Sequence, residues 1–148
     1  MIKAFILQWF NGVRLADTNE YSLYCRPPVT RNTFFAGKTA EARALVVLKQ
    51  DTVNIEEMLS LVTDYIRSSG DSPRTSRISW LFLSDRGGVY LYEALADKGN
   101  FSAPGVKSRL FVVNSGDGSF SFGPGHEKNS SFSSRMRDLL LQARTLPP

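Results

Sequence analysis

The chain has few of the residues that form covalent links and metal sites. Among its 148 residues there is one cysteine, Cys25, and one histidine, His126. A single cysteine cannot form an internal disulfide bond, which agrees with a reducing compartment. A zinc site made of cysteine and histidine needs more ligands than these two residues supply. We therefore expect no metal, no cofactor and an intracellular, cytoplasmic location.

The chain also lacks the common catalytic patterns. Asp-x-Asp, His-Glu-x-x-His and Gly-x-Ser-x-Gly do not occur. Gly37-Lys38-Thr39 matches the end of a phosphate-binding loop, but position 32 is asparagine where that loop requires glycine. Cys25 and His126 could form a nucleophile–base pair only if folding joined them, and a packed thiol is the commoner role for a cysteine beside an apolar segment. The sequence therefore predicts a protein that is not an enzyme.

Long apolar runs are missing as well. No apolar stretch approaches the ~20 residues that a membrane-spanning helix requires. Trp9, Asn11 and Arg14 stand where a signal peptide would continue its apolar core or offer a cleavage site. With 42% hydrophobic and 22% charged residues, the composition is that of a globular protein. The length and composition predict a single domain spanning residues 1–148 without a membrane span.

Basic residues, by contrast, are in excess. The net charge is +4, from 18 basic and 14 acidic residues. One basic segment carries five positive charges against Glu41 alone, namely Arg26, Arg31, Lys38, Arg43 and Lys49. From Phe101 to the end, the balance is +3. Such a balance permits an anionic partner without requiring one, and a solvated surface is the alternative interpretation.

The N-terminal segment predicts a β-hairpin. Residues 1–10 are mostly apolar, and Asn11-Gly12 suits the two-residue turn that joins antiparallel strands, so Val13–Ala16 would form the second strand. Both faces of the first segment are apolar, as expected for a strand covered on both sides. The sequence therefore places an interior strand at the start of the fold.

The rest of the chain predicts further hairpins and two helices. Asn54 is a good N-cap with Glu57 three residues later, and the apolar stripe that follows indicates a helix ending near Gly70. Other predicted elements are strands at residues 44–49, 77–85, 89–95, 108–114 and 119–122, and a final helix around residues 132–143. Strands 77–85 and 89–95 are expected to pair as one hairpin, and strands 108–114 and 119–122 as another. This order predicts an α+β domain with a mostly antiparallel sheet built from hairpins and two main helices packed on it.

Aromatic and basic residues on the predicted strands favour nucleic-acid binding as one function. Aromatic rings on an open sheet can stack on bases while nearby arginines contact phosphates. The alternative is that these rings pack beneath helices, since aromatic residues are common in strands. The candidate residues are Arg74, Arg77, Arg86, Arg109, Trp80, Phe82, Tyr90 and Tyr92.

Protein–protein interaction is the leading hypothesis at this point. A small domain without catalytic or metal-binding patterns commonly acts through its surfaces, as a structural or adaptor component of an assembly. The final helix offers Arg135, Arg137 and Arg144 around an apolar stripe for such a partner, although that stripe can also pack within the domain. A basic RNA- or DNA-binding accessory protein is the second hypothesis, and the sequence leaves the oligomeric state open.

Overall fold

The computed structural model describes residues 2–33, 37–50, 54–68, 75–84, 105–116, 120–122, 138 and 141–142. Within these ranges the chain forms two helices and seven strands. Their order is α1 (Ile2–Phe10), β1 (Val13–Asp17), β2 (Tyr21–Cys25), β3 (Val29–Thr33), β4 (Gly37–Leu48), α2 (Ile55–Ser68), β5 (Thr75–Ser84), β6 (Val106–Asn114) and β7 (Phe120–Phe122). In the described part of the chain, neither helix combines the length and the apolar character needed to cross a membrane.

The seven strands form one mixed sheet. Its order is β1-β2-β4-β5-β6-β7, and β3 pairs with the first half of β4 on the edge that β2 uses further along. The central strands β4, β5 and β6 are parallel, and the remaining pairs are antiparallel. The prediction of a mostly antiparallel sheet was therefore wrong, and α+β describes the fold only in the broad sense of helices packed on a sheet. Helix α2 explains why β4 and β5 are parallel, because a crossover helix returns the chain to the end of the sheet at which β4 began.

The predicted N-terminal strand is a helix. Ile6 and Phe10, four residues apart, are buried, whereas Lys3 and Gln8 are exposed, as the period of an α-helix requires. Asn11 takes a positive φ of 47°, and its N–H donates to the Leu7 carbonyl at 3.3 Å. Asn-Gly therefore ends α1 instead of forming the turn of a hairpin. The dipeptide suits both structures, because both use the left-handed region at asparagine.

The second helix agrees with its prediction. The Asn54 side-chain oxygen accepts a hydrogen bond from the Glu57 N–H at 3.1 Å, so Asn54 is the N-cap. Ile55, Met58, Val62 and Ile66 are buried, as the apolar stripe predicts. The Tyr21 hydroxyl donates to the Glu57 carboxylate at 2.8 Å and ties the first turn of α2 to β2.

The sheet carries a hydrophobic core on each face. On one face, α2 packs over alternate residues of β2, β4, β5 and β6, and Trp80 and Phe82 lie at the centre of this core. On the other face, Ile6 and Phe10 of α1 pack on Leu45, Val47, Leu81, Leu83, Phe111 and Val113. The sheet is thus covered by a different helix on each side.

Several predicted elements fall partly or wholly outside the described residues. Segment 89–95, the expected hairpin partner of β5, lies outside them, and β5 has β4 and β6 as its neighbours. The hairpin of β6 and β7 is confirmed by the antiparallel pairs from Phe111↔Phe122 to Val113↔Phe120. Of the predicted final helix only Asp138, Leu141 and Gln142 are described, and all three are helical and exposed.

Candidate functional site

The three parallel strands share one pattern on the face that α1 covers. Read at every second residue, β4 has Glu41, Arg43, Leu45 and Val47; β5 has Arg77, Ser79, Leu81 and Leu83; β6 has Lys107, Arg109, Phe111 and Val113. The register places equivalent members of these series side by side across the sheet. The face is therefore divided into two polar rows and two apolar rows. The apolar rows lie under α1, and the polar rows lie beyond it.

The polar rows form the floor of a cleft of about 740 Å³. Its walls come from the segment that joins β2 to β3 and from the nearby edge of β3. The described lining residues are Arg26, Pro27, Val29, Arg31, Glu41, Ala42, Arg43, Arg77, Ile78, Ser79, Lys107 and Arg109. Six of them are basic and one is acidic, so the cleft is strongly positive. We call it the basic cleft.

The positive charges of the basic cleft are only partly neutralised by acidic side chains of the described residues. Arg77, Lys107 and Arg109 are exposed, and they form no ion pair within the part of the chain that the structure describes. The single acid, Glu41, has its carboxylate 3.8 Å from the Arg31 guanidinium. Like charges on neighbouring strands repel one another, and an anion in the cleft would relieve that repulsion. The arrangement can therefore bind a ligand with several negative charges.

Arg26 stands where the basic cleft meets the end of α1. Its Nε donates to the Phe10 carbonyl at 2.7 Å, and a terminal nitrogen donates to the Trp9 carbonyl at 3.1 Å. The guanidinium also lies over the Trp9 and Phe10 rings, at 4.6 and 4.8 Å from their centroids. Burial, together with the charge of Arg43, lowers the pKa of Arg26 below its ordinary value. Arg26 thus satisfies two carbonyls at the negative end of a helix while lining the cleft.

The structure separates the predicted aromatic and basic site residues. Arg77 and Arg109 lie together in the basic cleft, whereas Trp80 and Phe82 are fully buried in the core beneath α2, on the opposite face. Trp80 and Phe82 are therefore not exposed for stacking on bases in this structure, because they are buried beneath α2 while the arginines, at alternate strand positions, face the cleft. The other candidates, Arg74, Arg86, Tyr90, Tyr92, Arg135, Arg137 and Arg144, lie outside the described residues.

Four lining cations were not predicted as site residues: Arg26, Arg31, Arg43 and Lys107. The first three belong to the basic segment before α2, whose excess charge is visible in the sequence. For Arg43 and Lys107 a further signal is the repeated series of β4, β5 and β6, in which polar residues give way to apolar ones at every second position. Lys49, from the same segment, pairs with Asp17 at 2.7 Å and holds the pKa of that carboxyl below its usual value.

The remaining candidates for chemistry have structural roles where they are described. Cys25 is fully buried, and burial raises the pKa of its thiol to about 12, so it remains protonated. Gly37-Lys38-Thr39 begins β4 and not a helix, and the Thr39 hydroxyl lies 2.9 Å from the Thr75 hydroxyl. Among the described residues, no three acidic, histidine or cysteine side chains lie close enough to hold a metal ion. His126 is outside these residues.

Comparison with protein-family models, curated proteins and solved structures finds no match to this chain. The basic cleft is therefore the feature of the molecule from which a function can be inferred.

Proposed function

We propose that the chain is a non-catalytic protein that binds the phosphate backbone of RNA or DNA in the basic cleft. The observation that carries this proposal is the alignment of Arg43, Arg77, Lys107 and Arg109 in two adjacent rows of one sheet face. The strands hold these positions in fixed register, so the cations are arranged before the ligand arrives. Arginine is well suited to the task because its planar guanidinium can contact phosphate through two hydrogen bonds.

The dimensions of the cleft suit a chain of phosphates. Neighbouring strands are about 4.8 Å apart, and alternate residues of a strand are about 6.6 Å apart. The cations on β4, β5 and β6 thus span roughly 10 by 7 Å at the level of the backbone. Nucleic-acid strands carry one phosphate per ~3.4 Å of duplex axis, so two or three phosphates fit over this area.

The floor of the cleft favours contact with the backbone over contact with bases. The aromatic side chains of β5 face the other side of the sheet, and the described floor residues are charged, small or aliphatic. Phosphate contacts fix the position of a nucleic acid but carry no sequence information directly. The cations alone should therefore give binding that depends strongly on salt and weakly on sequence.

Fluorescence anisotropy with a labelled ~20-nucleotide single-stranded RNA, at several salt concentrations, tests the proposal. The variant Arg77→Ala/Lys107→Ala/Arg109→Ala removes three cleft cations. Since each phosphate contact contributes about 0.7 to the slope of log affinity against log salt, the slope should become shallower by about 2. The matched control is Arg67→Ala, which removes an exposed cation from the last turn of α2, on the other side of the sheet.

Two outcomes contradict the proposal. The first is the absence of binding by the native protein at low salt. The second is a triple variant that keeps the native salt slope, since the cations of the cleft would then not contact the phosphates. Circular dichroism of the variant controls for folding, and we expect no loss because the substitutions remove like charges from one surface.

A role as a structural or adaptor component of a protein assembly stays a prediction. The residues assigned to it, Arg135, Arg137 and Arg144, lie outside the described residues. An acidic protein surface could also occupy the basic cleft, because the same cations would bind its carboxylates. Competition of poly-glutamate against labelled RNA compares the two partners: displacement at equal charge concentration would favour an acidic protein partner.

A further inference from the structure

Glu41 is the one carboxylate among the described residues that line the basic cleft. It lies on β4, with Arg77 beside it on β5 and Val29 beside it on β3. Its side chain is 43% exposed, so the carboxylate reaches the solvent of the cleft. A negative charge at this place weakens the attraction for phosphate, and its role therefore needs a separate explanation.

The described residues use little of the hydrogen-bonding capacity of this carboxylate. Among the described residues, its one ion pair is with Arg31 at 3.8 Å, and the Arg31 side chain is 66% exposed. Open pairs of this kind contribute little stability. Within the described ranges, the Glu41 carboxylate accepts no hydrogen bond, although an ionised carboxylate offers about four acceptor positions. Most of its acceptor capacity is therefore directed to the cleft.

A ligand that carries hydrogen-bond donors as well as phosphates would use these acceptors. Nucleic acids supply such donors in the amino groups of bases and in the ribose 2′-hydroxyl, whereas inorganic polyphosphate at neutral pH supplies almost none. Glutamate is a known acceptor for the amino group of cytosine, and the 2′-hydroxyl is a donor in RNA recognition. A mixed site of cations and one acceptor thus matches the chemistry of a nucleotide.

We propose that Glu41 accepts a hydrogen bond from a base amino group or a ribose hydroxyl while the neighbouring cations hold the phosphates. The carboxylate makes the basic cleft selective for nucleic acid over polyanions that lack donors. This inference rests on the proposed function, since it assigns a specificity-determining residue to the same site.

The test compares inorganic polyphosphate with single-stranded RNA of mixed sequence, using the native protein, Glu41→Ala and Glu41→Gln. Loss of the charge should tighten polyphosphate binding in both variants. A hydrogen bond to a charged group corresponds to roughly tenfold or more in affinity, so Glu41→Ala should weaken RNA binding while it strengthens polyphosphate binding. Glu41→Gln keeps an acceptor oxygen and the side-chain shape, and its RNA affinity should lie between those of the native protein and the alanine variant.

One result would overturn this inference and leave the proposed function intact. If Glu41→Ala tightened RNA and polyphosphate by the same factor, Glu41 would act only as a repelling charge. A native protein that failed to bind RNA would instead reject the proposed function. The two failures are therefore distinguishable in one titration series.

Further oligonucleotides identify the donor. DNA of the same sequence lacks the 2′-hydroxyl, and a uridine-only RNA lacks base amino groups. If the 2′-hydroxyl is the donor, Glu41→Ala should no longer weaken binding when the ligand is DNA. If the base amino group is the donor, Glu41→Ala should no longer weaken binding when the ligand is uridine-only RNA. Glu41→Ala should not weaken binding to thymidine-only DNA, which has neither group. Weaker binding of this DNA by the variant would refute the inference.

Discussion

Substitution of Arg26 tests whether one side chain both anchors α1 and serves the basic cleft. Arg26→Ala removes two hydrogen bonds to the carbonyls of Trp9 and Phe10, at 3.1 and 2.7 Å, together with two ring contacts. Hydrogen bonds that involve a charged group are worth about 1.5–3 kcal/mol each, and cation–π contacts about 0.5–1 kcal/mol. Relief of the repulsion by Arg43 and hydration of the freed carbonyls offset part of this loss. We expect the free energy of unfolding to fall by about 2–3 kcal/mol, since such contributions are not additive.

Chemical denaturation measures this change directly, and thermal unfolding should show a decrease in Tm of roughly 5–10 °C for a chain of this size. Arg26→Lys keeps the charge but not the planar fork, so it should lose most of the same stability and retain most of the salt slope of RNA binding. Arg109→Ala is the matched control, because Arg109 lines the cleft and contacts no helix end in the described residues. If Arg26→Ala cost no more stability than Arg109→Ala, the anchoring of α1 by Arg26 would be refuted.

Two other predictions concern the segments that adjoin α1. In Gly12→Ala the new β-carbon would lie 2.6 Å from Cε1 of Phe10 and 2.9 Å from the Cys25 carbonyl oxygen, so the free energy of unfolding should fall by about 1–3 kcal/mol in denaturant titrations. Asn11→Gly is its control and should be close to neutral, since glycine accepts the φ of 47°; equal losses in both variants would contradict the steric explanation. Burial raises the pKa of the Cys25 thiol from 9.0 to about 12, so the folded state holds this proton more tightly, and stability should decline as the pH rises from 9 towards 12. Cys25→Ala should reduce that decline, and rapid reaction of the folded native protein with a thiol reagent at pH 8 would show that the thiol is accessible.

The two helices differ in how far they could be predicted from residues that are close in sequence. The start of α2 was predictable because Asn54 and Glu57 form its cap within four residues of sequence. The segment before Asn11 is compatible with both a strand and a helix. Because it is apolar at most positions, it fits the two-residue period of a strand as well as the 3.6-residue period of a helix. Asn-Gly does not decide between them, since a hairpin turn and a helix end both use a positive φ at asparagine. Packing of Ile6 and Phe10 on the distant strands β4, β5 and β6 decides the structure, and that information is tertiary.

The polar rows of the sheet face follow from the fold, but their positive sign does not. With nine residues, α1 is about 13 Å long, whereas the twelve residues of β4 extend over roughly 40 Å, so α1 leaves part of the face uncovered. An uncovered face requires polar residues, and a mixture of acids and bases would serve solubility while lowering repulsion between neighbours. The floor and walls instead combine six bases with Glu41, and three of these bases have no ion pair among the described residues. Solvation explains why these positions are polar, whereas their common positive charge is what the proposed anionic ligand would explain.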